Sequence, residues 1–233
     1  HPSSARMSKP VLGIVCGMQT EFDMLERWPL DPRVEVAVSG ARPSLAADGA
    51  RWLLDEGCRV LLSWGVAGGL DPALPPGNVL VPDAVIAPNG SRYETIGTSA
   101  VDDNPGRGAI LGSDDMVLGA EGKADLFART GAVAVDMESH AMMAVAAEAG
   151  AQGLVIRAIG DGAGSSLPPF VSGAISETGH PLIGPILLGL LTSPGRLPAL
   201  LRLKSETDRA LRRLQSLTDE GLFDRLLAEI EAG

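Results

Sequence analysis

Residues 59–70 read RVLLSWGVAGGL, and they decide the fold. Arg59–Trp64 is a short apolar run without helical spacing, which predicts a buried strand. Gly65, Gly68 and Gly69 follow it and predict a loop whose backbone can come close to a ligand. Upstream, Ser44–Glu56 has a helical pattern, with Gly57 at the left-handed cap position. Val34–Ser39 alternates as a strand that turns at Gly40–Pro43. Val11–Cys16 is a strand ended by Gly17, and an acidic helix, Thr20–Trp28, comes next. Downstream, Asn78–Ala87 and Ser91–Thr95 form a predicted hairpin about Pro88–Gly90. Ala109–Gly112 reads as a strand, Ala120–Thr130 as a helix and Ala132–Val135 as a strand. Asp136–Ala149 is a helix stopped by Gly150, and Gly153–Ile159 is a last strand reaching Gly160–Asp161. After the Pro/Ser-rich Ser165–Pro169 the chain is helical over Leu182–Leu191, Leu197–Leu214 and Glu220–Ile230. The alternation predicts an α/β fold: a single domain over 7–233, a central mixed β-sheet flanked by helices, and a helical C-terminal extension (181–233) packed on it.

Composition narrows the function. The chain carries a net charge of −10 without a Lys/Arg cluster, which argues against a nucleic-acid surface. Aromatics are only 3 %, so few side chains could stack on bases of a single strand. Hydrophobic residues at 45 % are ordinary for a globular protein and exclude a disordered chain. Cys16 and Cys58 sit in or beside apolar runs and read as buried free thiols, consistent with a reducing, cytoplasmic setting. His1–Arg6, before Met7, reads as a cloning remnant rather than a leader, because no apolar stretch follows it. Pro181–Leu191 is too short to span a bilayer and is broken by two prolines and two glycines.

Three stretches carry chemistry. Ser63–Leu70 (SWGVAGGL) offers backbone amides at the end of a strand, although its spacing matches neither a dinucleotide fingerprint nor a P-loop. Val135–Ser139 (VDMES) runs from strand into helix. An acid there is favoured by the helix dipole, and an ionised Glu138 could equally accept hydrogen bonds from two adjacent hydroxyls of a ribose. Met137 would then be a soft apolar wall. Val155–Asp161 (VIRAIGD) ends a buried strand on an acid, where α/β sheets place their sites. Partial burial would raise the Asp161 pKa and suit it to donate a proton, although a turn or cap role fits the same position. Arg157 reads as the structural partner of a buried carboxylate.

Together, and in this order, these stretches resemble the nucleoside phosphorylase and nucleosidase superfamily, with Gly13–Glu21 (GIVCGMQTE) as a further signature. Ser63–Gly77, Gly131–His140 and Ser193–Leu211 are similar to the hopanoid-associated phosphorylases within it. The resemblance implies a three-layer α/β/α fold and cleavage of the N-ribosidic bond of an adenine nucleoside. The substrate it implies is adenosylhopane, an adenine nucleoside with a large apolar tail. It assigns Asp161 to the acid on the leaving base and Glu21 to the carboxylate that activates water. Glu138 becomes the clamp on the ribose hydroxyls and Met137 the residue beneath the sugar. Met116 and Val117 flank the base, and Ala67 and Gly68 belong to the binding loop. It implies no metal or organic cofactor, with water or phosphate as the second reactant, and a homo-oligomer.

The sequence also departs from the family. Phosphorolytic members hold phosphate with arginines, one of them in the segment where this chain has Glu21, and a carboxylate there favours water. Arg42 is the one nearby basic residue for phosphate, and a solvated turn residue fits it as well. Gly160 stands where many relatives have Ser, and Val66 where many have a small polar residue. Pro168–Val171, Pro181–Leu191 and Leu197–Leu203, with Arg196, Arg202 and Lys204 beside them, read either as helices packed on the core or a subunit. The other reading is an apolar mouth for a lipid tail that touches a membrane surface. The rival functions are a nucleosidase for methylthioadenosine-type thioribosides or futalosine, and a non-catalytic nucleoside- or lipid-binding protein on the same fold.

Overall fold

A computed structural model describes residues 9–26, 31–101, 105–173 and 183–233. Strand β1 (Leu12–Cys16) lies between β2 (Val34–Val38) and β3 (Val60–Gly69), all parallel. The last strand, β9 (Gln152–Asp161), runs parallel to β3 from Val60 to Gly68 and so fills one of its edges. The other edge is divided. β1 covers Val60–Trp64, and β8 (Ala134–Asp136) pairs antiparallel with Gly68–Gly69. Among the described residues no strand covers that edge at Gly65–Ala67, and a crevice opens where the neighbour changes. Such switch points are where open α/β sheets place their sites. Beyond β8 the sheet continues through β7 (Ala109–Gly112), β5 (Ala84–Ile86) and β6 (Arg92–Glu94). The short β4 (Val79–Leu80) pairs with β9.

Alternation along the strands sends side chains to two faces. Leu12, Ile14, Val60, Leu62, Trp64, Leu154 and Ile156 form one core with Ala210, Leu214 and Leu217 of α6 (Leu197–Asp219) and Leu222, Phe223 and Leu226 of α7 (Leu222–Ala232). Trp64 stacks at a tilt on Phe223, with centroids 5.2 Å apart. Val15, Leu61, Val155 and Ile159 face the other way, onto Ala46, Ala50 and Leu53 of α2 (Pro43–Asp55) and Met142, Met143 and Ala146 of α4 (Ser139–Ala149). The result is a central mixed sheet between two helical layers. Helices α6 and α7, read from sequence as an extension packed on the domain, supply most of one layer, beside Met24 and Leu25 of α1 (Gln19–Glu26).

Several expectations need correction. The loop predicted at Gly65–Gly69 is strand, because β9 holds it along its outer edge. The helix predicted from Asp136 starts at Ser139. Asp136 ends β8 and Glu138 is the N-cap residue, so both acids stand just ahead of the first turn rather than in it. The single strand predicted over Asn78–Ala87 divides into β4 and β5, which pair with β9 and β7 respectively. Helix α1 is described as Gln19–Glu26, so the end of the predicted Thr20–Trp28 lies outside the described residues. So do Pro181 and Leu182, ahead of α5 (Ile183–Thr192). Both cysteines are buried and free.

Candidate functional site

Glu21 stands third in α1, where an acid can reach back to the backbone N–H groups of the helix cap. Its Oε2 accepts from the N–H of Gly17 and of Met18, each at 2.9 Å, and its Oε1 accepts from the Val66 N–H at 3.0 Å. The last bond crosses to the uncovered edge of β3. Gly65, at φ +145°, makes room for it: a Cβ there would lie 2.3 Å from Glu21 Oε1. Gly17 likewise leaves space for Glu138, whose Oε1 would lie 2.2 Å from an added Cβ. These glycines make room for carboxylates. Gly65→Ala is therefore expected to destabilise the fold by roughly 1–3 kcal/mol, with Glu21 driven from its seat; a urea unfolding midpoint equal to that of the wild type would refute this.

Arg157 lies on the α4 side of β9 and is fully buried. It gathers three elements. Its Nη2 donates to Glu138 Oε2 at 3.0 Å and to Ser63 Oγ at 2.5 Å, and its Nη1 donates to the Val66 carbonyl at 3.1 Å. Its Nε sits 2.9 Å from Asp136 Oδ2. Asp136 also accepts the Ser139 N–H at 3.1 Å and is bonded to the Ser139 hydroxyl. One guanidinium thus faces three carboxyl groups, Asp136, Glu138 and Glu21. Burial pushes Glu138 up to about 7 against the pull of Arg157, and Asp136 and Glu21 push it further. Burial also raises Glu21, opposed by Arg157 and by its three N–H donors. The sequence reading has Glu138 as an ionised clamp, and its buried seat makes that ionisation costlier than for a free carboxyl.

Asp161 is aimed by a bulge. Ala67 pairs with Ile159 and Gly68 with Asp161, so Gly160 is the extra residue, and it turns Asp161 off the alternation of β9. A Cβ on Gly160 would lie 3.2 Å from Val66 Cβ. The two departures noted in the sequence therefore face each other and share one space. Asp161 is ion-paired with Lys123 of α3 (Ala120–Thr130), whose Nζ also donates to the Gly162 carbonyl at 3.0 Å. Burial raises the Asp161 carboxyl, Lys123 holds it down and Glu206 pushes it up. Glu206 of α6 accepts the Gly162 N–H at 3.2 Å and the Ser165 hydroxyl at 2.8 Å, fixing the segment beyond Asp161.

All eight residues singled out in the sequence, Glu21, Ala67, Gly68, Met116, Val117, Met137, Glu138 and Asp161, line one cleft of about 220 Å³. Asp115, Asp136 and Arg157 line it too. Leu167, Val171 and Leu203 give it an apolar wall. Among its described lining residues Arg157 is the single cation against five acids. Ala41 lines the cleft, whereas Arg42 is an exposed residue at the start of α2. No cluster of three or more metal-ligating side chains occurs among the described residues. Sequence reasoning missed Lys123 and Glu206. Lys123 sits between Gly122 and Ala124, and that small-residue setting was the one available signal.

A cleft floored by carboxyl groups at the switch point of a mixed sheet defines a small-molecule site of the α/β class. The sequence pattern of the phosphorylase superfamily matches residues 31–106 and 98–175. The chain belongs to that superfamily, and with it stands the expectation of an enzyme that cleaves an N-glycosidic bond. Solved structures share the fold. The 5'-methylthioadenosine/S-adenosylhomocysteine nucleosidase of Helicobacter pylori superposes with a TM-score of 0.63 at 20 % identity, covering 91 % of this chain and 99 % of its own. The futalosine hydrolase of the same organism gives 0.63 at 20 %, covering 91 % and 98 %. The S-adenosylhomocysteine nucleosidase of Streptococcus pyogenes gives 0.62 at 18 %, covering 93 % and 99 %. No curated protein matches the chain.

Proposed function

We propose that this enzyme releases adenine from adenosylhopane by hydrolysis, leaving ribosylhopane. One observation carries the reading: a single cleft is lined both by Glu21, Glu138 and Asp161 and by Leu167, Val171 and Leu203. Breaking an N-ribosidic bond builds positive charge on the sugar and negative charge on the departing base, as in glycoside hydrolysis. Asp161 protonates the base as it leaves. Glu138 holds the ribose hydroxyls over Met137, and Glu21 takes the proton of the attacking water. Met116, Val117, Ala67 and Gly68 enclose the base and sugar. Each acidic group stabilises the transition state more than the bound substrate, which is what accelerates the step. Five acids against one engaged guanidinium repel phosphate, which supports water as the nucleophile.

The apolar wall continues outward. Leu203 lies on α6, and Leu197 and Leu201 ahead of it are exposed, as are Leu187, Leu188 and Leu191 of α5, the last at 81 %. Residues 183–204 carry Arg196, Arg202 and Lys204 and no acid, on a chain of net charge −10. This face accepts the lipid tail and rests transiently on a membrane surface. Among the described residues no single helix is long and apolar enough to cross a membrane. The homo-oligomer that the resemblance implies belongs to the same reading.

The test is adenine release from adenosylhopane in detergent, with and without phosphate, and from methylthioadenosine. Release without phosphate, yielding ribosylhopane, is the expected result. Strict dependence on phosphate would assign phosphorolysis instead. Faster turnover of methylthioadenosine would make the chain a nucleosidase for soluble thioribosides. No release from any adenine nucleoside, despite binding, would leave a binding protein on the fold.

A further inference from the structure

Lys123 is the largest unexplained group near the cleft. A lysine four residues into an amphipathic helix ordinarily lies in solvent, yet this side chain is 0 % exposed. Its ammonium has two partners, the Asp161 carboxylate and the Gly162 carbonyl. The Asp161 side chain keeps 15 % exposure and lines the cleft, so Lys123 stands behind it, away from the ligand. Burying a lysine costs several kcal/mol unless it is paired, and an apolar side chain would fill this place more cheaply if packing were its whole purpose.

We propose that Lys123 is a positioning residue for departure of the base, its fixed ammonium taking up the negative charge that forms on Asp161 as the proton is transferred. The inference rests on the reading of Asp161 as the acid. In the step, the Asp161 O–H bond breaks and an N–H bond forms on the imidazole nitrogen of adenine. The ribosidic C–N bond breaks with its electron pair going to the base, and water adds to the sugar while giving a proton to Glu21. Asp161 is left as a carboxylate against Lys123, which keeps its own protons throughout. After the products leave, Asp161 regains a proton from solvent and Glu21 gives its proton up to solvent, both through the open cleft. Lys123 itself is enclosed.

Other charged groups around Asp161 do not duplicate this role. Glu206, with its partner Arg202, faces it from α6 and carries the opposite sign. Asp115, Asp136, Glu138, Glu21 and Arg157 share the cleft, and Arg157 is held by Asp136 and Glu138. Lys123 is thus the cation in contact with the Asp161 carboxyl.

The experiment measures kcat against pH for adenine release by the full chain, using whichever of adenosylhopane and methylthioadenosine the wild type cleaves faster. The variants are Lys123→Met, Asp161→Asn and the two combined. Lys123→Met is expected to lower the plateau by ~10²-fold, the loss typical of removing one preorganised charge-stabilising group. Its alkaline limb should also move to higher pH, because an unpaired buried carboxyl keeps its proton longer. In the Asp161→Asn background the same change should leave kcat unaltered. Lys123→Gln, which keeps a donor without the charge, should shift the limb in the same direction and serves if the Met variant does not fold. A lowered plateau with an unmoved limb, or losses that multiply in the double variant, would mean Lys123 is only structural. Asp161→Asn turning over at the wild-type rate would overturn the acid assignment and this inference together. A collapse of Asp161→Asn beside unaffected Lys123 variants would overturn this inference alone, and no release by the wild type would overturn both.

Discussion

Asp161→Asn is expected to lower kcat for adenine release by ~10²–10⁴-fold, the range for a positioned acid, with little change in KM. The interaction removed exists only while the base is leaving, so ground-state binding is spared. Asparagine keeps the volume and an acceptor for Lys123, and it cannot deliver a proton. The pH profile shows the same assignment from another side. Asp161 must be protonated to act, and burial raises its carboxyl above the usual range, so turnover falls as pH rises through that raised value. The variant should lose this limb. Above the pH of that limb, where Asp161 is ionised against Lys123, stability should fall as well, by roughly 3–5 kcal/mol, because the change leaves a buried ammonium without its counter-charge. Lys123→Met in the same chain should restore most of that stability while turnover stays low. This separates a catalytic loss from an unfolded protein. Unfolding midpoints in urea, read beside kcat for the three variants, check it. Wild-type turnover by Asp161→Asn would remove the acid from the mechanism.

Much of the fold could be read because its strands are buried on both faces or alternate cleanly, and because glycines bracket its helices. Gly119 and Gly131 enclose α3, whose predicted and observed limits coincide at Ala120–Thr130. Asp161 and Glu138 are legible because each stands at the end of an apolar strand or at a strand–helix junction, whereas Glu21, inside α1, is singled out only by the resemblance. Arg157 is legible as the partner of a buried carboxylate, but which carboxylates it meets is not, and Lys123 is not legible at all. Arg157 meets Asp136 and Glu138 only once β8 and β9 are brought to either side of β3. Lys123 meets Asp161 across 38 positions of chain, and a helix reading AEGKADLFART gives it no reason to point inward. Gly65 and Gly68 were misread for a physical reason. Glycine marks turns in most sequences, whereas here a strand needs bare backbone, at Gly65 because the Glu21 carboxyl lies against it and at Gly68 because Val135 does. The tail is legible as helices packed on the domain, but its partners, Trp64 and its neighbours, emerge only in the fold.

Glu21→Gln distinguishes the two nucleophiles by the sign of its effect. If water attacks, the variant loses the base that accepts its proton, and phosphate-free turnover should drop by ~10²–10⁴-fold. If phosphate attacks, Glu21 only repels it, so the neutral side chain should strengthen phosphate-dependent turnover and lower the phosphate KM. The amide also carries a structural cost. Glu21 accepts three backbone N–H groups through both oxygens. Glutamine offers one acceptor oxygen, so at least one of those N–H groups faces an NH₂, at a cost of about 1–3 kcal/mol. That cost lowers the unfolding midpoint under either mechanism and cannot produce a gain with phosphate. The residual activity should reveal the coupling within the carboxyl cluster. Glu138 titrates at about 7 partly because Glu21 pushes it up. Neutralising Glu21 lets Glu138 ionise at lower pH, so the acid limb of the remaining turnover should move downward. Measuring kcat against pH, with and without phosphate, for the wild type and Glu21→Gln tests all of this. A variant with unchanged phosphate-free turnover would exclude Glu21 as the base, and a gain that appears only with phosphate would establish phosphorolysis.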